Sequence, residues 1–233
     1  MCGIIAAKTK TISEKNLQFI YNLIEESQIR GKHATGISYF FDSTVKTIIE
    51  PMPAKEFLAY HWDEIKNDFI KENKISLISH TRYSTSDLEY NQPITHENSS
   101  IVLNGVITQA SFPEWEKLFS VKCETKNDAE IVLKRLDDDN FNIYQFSHYH
   151  NSSMAFAYMQ DERIRASRNG SRPAYYGCID DLHFISSTND IIMRAIQNDN
   201  CQAMKLDPYD IYELKNDGLH VILKNDKPFT DWQ

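Results

Sequence analysis

The chain has 233 residues, of which 41% are hydrophobic and 25% are charged, and its formal net charge is −8. This composition is typical of a soluble globular domain, and the excess of acidic residues argues against a general nucleic-acid-binding surface. No run of about 18 apolar residues predicts a transmembrane helix, and the N-terminal apolar run is too short for a secretory signal, so we expect a cytoplasmic protein that binds neither a membrane nor nucleic acid.

Short runs that alternate apolar and polar residues predict antiparallel strands along the whole chain. These runs cover residues 3–7, 35–41, 45–50, 75–80, 100–108, 153–159, 163–168, 173–179, 182–187, 210–214 and 219–224. The sequence Asn216-Asp217-Gly218 predicts a hairpin turn between the last two. The sequence contains no repeat and no Gly/Ser/Pro-rich linker, so residues 1–233 are expected to form a single domain.

Apolar residues at helical spacing predict helices between these strands. The first covers about residues 13–28, with Ser13 as its N-cap, and the second covers about residues 54–72. A third begins near Asp128, and another follows Thr188. Because the helices interrupt the strands in blocks, without regular alternation, we predict an α+β fold with antiparallel sheets.

Four cysteines are present, and none belongs to a C-x-x-C pair. Neither a zinc site nor a redox dithiol is therefore predicted, and Cys123, Cys178 and Cys201 are expected to be buried as small apolar residues. The sequence His148-Tyr149-His150 has no third ligand in view, so we interpret it as strand and expect no metal and no cofactor.

Cys2 differs because of its place in the chain. Removal of Met1 would give one residue both a thiol and a free α-amine, whose ordinary pKa is about 7.7–8.0. That amine can accept the thiol proton as a general base, and Gly3 lets the backbone approach closely. Taken alone, a cysteine at position 2 is more often an incidental residue.

Further along the chain, polar motifs follow one another at the ends of predicted elements. They occupy residues 30–36 (R-G-K-H-A-T-G), 80–85 (H-T-R-Y-S-T), 91–93 (N-Q-P), 102–107 (V-L-N-G-V-I), 127–130 (N-D-A-E) and 169–173 (N-G-S-R-P). In this order, after the M-C-G-I start, they resemble the class II glutamine amidotransferases, members of the N-terminal-nucleophile hydrolase superfamily. The resemblance extends from Cys2 to Arg172, with Leu206-Asp207-Pro208 as a further match, and implies a four-layer αββα sandwich of two antiparallel sheets flanked by helices.

The resemblance also implies a role for each matched residue. Cys2 attacks the side-chain amide of L-glutamine, forms a γ-glutamyl thioester and releases ammonia. The Asn104 side chain and the Gly105 N–H stabilise the oxyanion. Arg82 binds the substrate α-carboxylate as a two-pronged donor, while Asp128 binds the α-ammonium group. Thr81 is expected to line the same pocket.

Each of these residues also has a simpler interpretation. Arg82 fits a surface ion pair, Asp128 an ordinary N-cap, and Asn104-Gly105 a β-turn. His80 is interpreted as a core or supporting residue, since the α-amine already supplies the base. The acidic run from Asp137 to Asp139 is interpreted as a solvated helix end.

The sequence departs from the family pattern at two positions, and it shows no motif of an ammonia-accepting domain. His33 stands where the family has Asp, and Gln109 stands where it has Asn. No phosphate loop or dinucleotide fingerprint is present, so we expect a separate synthase to accept the ammonia and to order residues 84–92 over the pocket. Two alternatives remain: an N-terminal-cysteine hydrolase of another γ-glutamyl or amide compound, and a catalytically silent glutamine-sensing subunit.

Overall fold

A computed structural model describes residues 1–84, 89–138, 152–196, 201 and 203–224. Within these residues the α-helices are α1 (Glu14–Ser27), α2 (Ala54–Glu72), α3 (Trp115–Phe119), α4 (Ala129–Asp137) and α5 (Asn189–Ala195). The strands are β1 (Gly3–Thr9), β2 (Ala34–Phe41), β3 (Thr44–Glu50), β4 (Ile75–Arg82), β5 (Ile94–His96), β6 (Ser99–Val106), β7 (Ser153–Gln160), β8 (Arg163–Arg168), β9 (Tyr175–Ile179), β10 (Leu182–Ser186), β11 (Met204–Lys205), β12 (Ile211–Lys215) and β13 (Gly218–Leu223).

The strands form two antiparallel sheets. The first has seven strands in the order β11-β9-β10-β1-β4-β2-β3, and the second has six in the order β13-β12-β8-β7-β6-β5. β1 and β4 lie side by side in the middle of the first sheet, where Gly3 is opposite Thr81. β6 and β7 are neighbours in the second sheet, where Asn104 is opposite Ala155.

Three layers of buried apolar side chains hold the sheets and helices together. One lies between the seven-stranded sheet and α1, α2 and α5, and includes Ile20 and Leu77. Another lies between the six-stranded sheet and α4, and includes Leu103. The third lies between the two sheets and includes Ile4 and Val102. The predicted αββα sandwich is therefore confirmed.

Alternation along the central strands decides which residues reach the space between the sheets. In β1, Ile5 belongs to the helix-side core and Ile4 to the core between the sheets. In β4, Leu77 and Ile78 divide in the same way. Since side chains alternate along a strand, residues at even positions of β1 and β4 point towards the six-stranded sheet.

The predicted elements agree closely with the observed ones. Ser13 caps α1 by accepting a hydrogen bond from the Asn16 N–H at 3.0 Å. The predicted hairpin turn joins β12 and β13, and Gly218 adopts a φ of +139° that favours glycine. β5 and β11 were not predicted, because two or three residues are too few to show alternation.

Candidate active site

A pocket of about 230 Å³ opens between the ends of the central strands and the start of α4. The residues that line it are Cys2, His80, Arg82, Tyr90, Gln92, Leu103, Gly105, Lys126, Asn127 and Asp128. Four of the residues predicted from the sequence motifs, Cys2, Arg82, Gly105 and Asp128, therefore share one cavity. The fold brings them together from four separate segments of the chain.

Cys2 lies immediately before β1, beside the end of β4. Its Sγ is 3.9 Å from the Tyr83 carbonyl oxygen, and its own carbonyl accepts a hydrogen bond from Arg30 Nε at 3.2 Å. A Cβ on Gly3 would lie 2.5 Å from Thr81 Oγ1. Glycine at position 3 therefore allows the nucleophile candidate to sit directly against β4.

Thr81 does not contribute its side chain to this pocket. Its hydroxyl donates to the Ser27 carbonyl at 2.8 Å, at the end of α1. Alternation explains the difference, because Arg82 points into the pocket and its neighbour must then point to the helix side. Thr81 is not among the residues that line the pocket, and a part for its backbone in substrate binding stays a prediction.

The Arg82 side chain is held by Tyr90 and Asn91, which lie beyond the end of β4. Its Nη1 donates to the Tyr90 carbonyl at 2.9 Å and to Asn91 Oδ1 at 2.7 Å. These bonds fix the direction of the planar guanidinium at the pocket wall. An oriented guanidinium is suited to a carboxylate, which it can bind through two parallel hydrogen bonds.

Asn104 and Gly105 lie within β6 rather than in the β-turn that they could also have formed. The Asn104 side chain is buried, and its Nδ2 has no hydrogen-bond partner among the described residues. A Cβ on Gly105 would lie 1.8 Å from the Ser153 carbonyl oxygen, so the close pairing with β7 requires glycine. An unpaired buried donor costs about 1–3 kcal/mol, and a ligand oxygen would relieve that cost.

Asp128 stands at the start of α4 but does not cap it with its side chain. The Asn127 Oδ1 takes that role by accepting from the Ala129 N–H at 3.1 Å. The Asp128 Oδ2 instead accepts from the Ile107 N–H at 2.6 Å. Burial raises the pKa of Asp128 against the opposing effect of these amide bonds. Asp128 therefore occupies the N-cap position of α4, while its side chain bonds to the residue that follows β6.

His80 lines the pocket as a neutral side chain. Burial, reinforced by the positive charge of Arg82, lowers the pKa of His80 to about 3. Neither ring nitrogen has a hydrogen-bond partner among the described residues, although the Leu103 carbonyl lies close to the ring. An imidazole of this kind cannot serve as an acid–base group near neutral pH.

One wall of the pocket is a hydrogen-bonded chain of amides that was not assigned a role from the sequence. Gln92 Oε1 accepts from the Leu103 N–H at 2.6 Å, and Gln92 Nε2 donates to Asn127 Oδ1 at 3.4 Å. Asn127 Nδ2 donates in turn to the Tyr90 carbonyl at 3.0 Å. Gln92 and Asn127 belong to sequence motifs noted above, whereas no signal pointed to Lys126, which lies exposed at the rim.

The two departures from the family pattern have different surroundings. The His33 ring accepts a hydrogen bond through Nδ1 from the Ser84 N–H at 2.9 Å. The His33 backbone N–H donates to the Arg82 carbonyl at 3.0 Å. Gln109 is exposed. Only the first departure therefore contacts the segment that carries Arg82.

Some sequence interpretations concern residues that the structure does not describe. His148, His150 and Asp139 lie outside the described residues, as do residues 85–88 of the expected loop. Within the described ranges, no group of three or more His, Cys, Asp or Glu side chains is placed to hold a metal ion. None of the described helices combines the length and apolar character needed to cross a membrane.

Comparison with known proteins shows which fold this is. No family model and no curated protein matches the sequence. Solved structures do match: a glutamine phosphoribosylpyrophosphate amidotransferase from B. subtilis, complexed with ADP and GMP, aligns with 97% of this chain at 15% identity and a TM-score of 0.70. A structure described as the allosteric regulatory enzyme of purine biosynthesis also aligns with 97% of the chain, at 18% identity and a TM-score of 0.69. In both cases the match spans only 50% of the other chain.

A third structure has a length similar to that of this chain. It is a glutamine aminotransferase class-II domain protein from Silicibacter pomeroyi, with 12% identity, a TM-score of 0.55, and alignment over 93% of this chain and 97% of its own. These likenesses establish the fold: the two antiparallel sheets flanked by helices are arranged as in the amidotransferase and in the class-II domain protein.

Proposed function

We propose that this chain is a glutamine amidotransferase domain or subunit that hydrolyses L-glutamine through a thioester on Cys2 and supplies ammonia to a separate synthase. The observation that carries the proposal is the meeting of Cys2, Arg82, Gly105 and Asp128 around one pocket. The fold shared with glutamine amidotransferase structures supports it.

The charges in the pocket fit a free α-amino acid. Arg82 and Asp128 line the same cavity with opposite formal charges, so a substrate with an α-carboxylate and an α-ammonium group can bind both. The oriented guanidinium of Arg82 is suited to the carboxylate. The side-chain amide of glutamine then extends towards Cys2, whereas a simple amide would lack both charged anchors.

The chemical steps follow from Cys2. After Met1 is removed, the Cys2 α-amine accepts the thiol proton, and the thiolate attacks the amide carbon. Asn104 Nδ2 and the Gly105 N–H donate to the oxyanion that forms. The ammonium proton moves to the leaving nitrogen, the C–N bond breaks and ammonia departs. Water then attacks the thioester, which releases glutamate and restores the thiol.

The buried, unpaired Asn104 donor supports this assignment physically. Asn104 is not itself among the residues that line the pocket, but its Nδ2 has no hydrogen-bond partner among the described residues and is available to an oxyanion. It speeds the reaction to the extent that this bond is stronger than the bond to the uncharged substrate carbonyl. His80 takes no part in proton transfer under this proposal, because its low pKa keeps it neutral.

The decisive experiment measures ammonia released from L-glutamine by purified protein whose N-terminus has been determined by mass spectrometry. We expect activity only in molecules that begin at Cys2. Full activity in molecules that retain Met1 would refute the α-amine as the base. Hydrolysis of γ-glutamyl peptides in preference to glutamine would instead favour an amidohydrolase, and a partner synthase that stimulates turnover would support ammonia transfer.

A further inference from the structure

The segment that carries Arg82 and borders Cys2 is clamped by a second segment of the chain. Residues 82–84, here termed the strap, pass over Gly31, where a Cβ would lie 2.2 Å from the Arg82 carbonyl carbon and 2.3 Å from the Tyr83 nitrogen. Beyond Gly31, the His33 N–H donates to the Arg82 carbonyl at 3.0 Å. The backbone of the strap is therefore in direct contact with residues 31–33.

The His33 side chain completes this clamp at the far end of the strap. Its Nδ1 accepts a hydrogen bond from the Ser84 N–H at 2.9 Å, and its ring lies 5.3 Å from the Tyr83 ring at an interplanar angle of 30°. Because a backbone N–H can only donate, Nδ1 must be unprotonated and the ring hydrogen must lie on Nε2. The carbonyl of Tyr83, between these contacts, is the group 3.9 Å from Cys2 Sγ.

The His33 ring lies at the protein surface. The charged residues next to it in the sequence are Arg30 and Lys32, and those in and just after the strap are Arg82, Asp87 and Glu89. Among the described residues, no ion pair joins the His33 ring to a carboxylate. Histidine is the side chain that ordinarily changes charge between about pH 5 and 8.

We propose that His33 is a positioning residue for the reaction proposed above, on which this inference rests. As a neutral imidazole it holds the strap so that Arg82 faces the substrate carboxylate and the Tyr83 carbonyl borders the Cys2 thiol. Protonation of Nδ1 removes the lone pair that receives the Ser84 N–H. The strap is then released, and the grip on glutamine weakens as the pH falls.

The test compares three proteins: the natural chain, His33→Asp and His33→Leu. A carboxylate keeps its acceptor oxygens down to about pH 4, so His33→Asp should hold the strap where protonated histidine does not. On the acid side, log kcat/KM of the natural chain should fall with a slope of about one from the α-amine, and should lose a further factor of roughly five where His33 gains its proton, the loss of about one hydrogen bond. His33→Asp should show the slope of about one without this additional step.

His33→Leu removes the acceptor at every pH. We expect it to raise KM for glutamine roughly fivefold near pH 8, the loss of about one hydrogen bond, with little change in kcat. Thermal unfolding monitored by circular dichroism should show that both variants remain folded. Acid-side profiles of the same shape in the natural chain and His33→Asp, without the additional step, would overturn the proposal.

A second measurement does not depend on catalysis. The ¹H–¹⁵N resonance of the Ser84 amide should titrate together with the His33 ring protons in the natural chain and should not titrate over that range in His33→Asp. If the enzyme is active and the Ser84 amide resonance does not shift when His33 is protonated, this inference alone is overturned. A chain that releases no ammonia, yet shows the coupled titration, would refute the proposed function while supporting the His33–Ser84 bond.

Discussion

Two buried polar clusters in this molecule are built in opposite ways. In the first, under α2, Tyr39 donates to Asp68 Oδ2 at 2.9 Å, and Lys46 Nζ bonds to Asp68 at 2.8 Å and to Glu64 at 2.6 Å. In the second, on β4 and β6, the buried Asn104 Nδ2 and both His80 nitrogens have no partner among the described residues. The first cluster is complete in itself, whereas the second offers hydrogen bonds that are not used.

Their titration behaviour differs for the same reason. Burial would raise the pKa of Asp68, but the bonds from Lys46 and Tyr39 outweigh it and lower that pKa. In the pocket burial prevails, because it raises the pKa of Asp128 and lowers the pKa of His80. Since buried polar groups in native proteins are nearly always bonded, the unpaired Asn104 donor agrees with the ligand contact that we propose for it. The paired cluster serves the fold.

The largest effect should come from the nucleophile. Cys2→Ala should reduce ammonia release by on the order of 10⁴-fold or more and leave the unfolding temperature nearly unchanged. A diazo-ketone analogue of glutamine should label Cys2 alone, as peptide mass spectrometry can show. Burial raises the pKa of Cys123, to about 12, and also that of Cys178 and of Cys201, so these thiols are poor nucleophiles. Labelling of one of these three with Cys2 unmodified would contradict the assignment.

The next effect tests the unpaired donor. Asn104→Ala should lower kcat by roughly 10²–10³-fold with little change in KM, because its hydrogen bond matters most when the oxyanion forms. Steady-state kinetics separates the two constants. A change confined to KM would show that Asn104 grips the bound substrate instead.

Smaller effects are expected at the charged anchors. Arg82→Lys should raise KM for glutamine roughly tenfold or more, since a point charge replaces a two-pronged donor. Asp128→Asn should do likewise at the ammonium end. Isothermal titration with glutamate, the product, measures the same loss without turnover. Unchanged glutamate affinity in both variants would remove these residues from the binding site.

The smallest effect on activity should come from the paired cluster. Asp68→Asn should lower the free energy of unfolding by about 2 kcal/mol and leave kcat and KM unchanged; Tyr39→Phe, which removes one bond, is the milder control. Because the folded-state pKa of Asp68 is lowered, its stabilisation is present above the unfolded value of about 3.9 and is lost as pH falls through the folded value. Denaturant titrations between about pH 3 and pH 7 should show a larger loss of stability towards acid pH in the natural chain than in Asp68→Asn. The variant keeps the dependence that comes from other carboxyl groups with a lowered pKa, such as Glu130 and Asp181.

The sequence predicted the sheets and the chemistry of individual residues better than it predicted their partners. Alternation and capping were readable locally, so the predicted and observed helices α1 and α2 nearly coincide. The motifs also predicted that Cys2, Arg82 and Asp128 share one pocket, and the structure places all three there. The Thr81 side chain lies on the helix side of β4, as alternation with Arg82 predicts, so the predicted role of Thr81 in the pocket would fall to its backbone.

What the sequence could not show depends on contacts between distant segments. The neutral, unpaired state of His80 arises from the packing of β4 against the second sheet. The bond from Ser84 to His33 joins positions 51 residues apart, and a motif shows only that His33 replaces an aspartate. Lys126 lies at the rim of the pocket because it comes just before α4. No local sequence pattern predicts that position.

Gln92 has a consequence for how this sequence can diverge. Its side chain bonds to Leu103 in one sheet and to Asn127 before α4, while a Cβ on Gly36 in the other sheet would lie 2.3 Å from its carbonyl oxygen. Replacement of Gly36 would therefore press on the Gln92 backbone from one sheet, whereas replacement of Gln92 would leave the Leu103 N–H of the other sheet without its acceptor. Among homologues, positions 92 and 127 should vary together because their side chains bond to each other, and position 36 should stay glycine whichever residue stands at position 92.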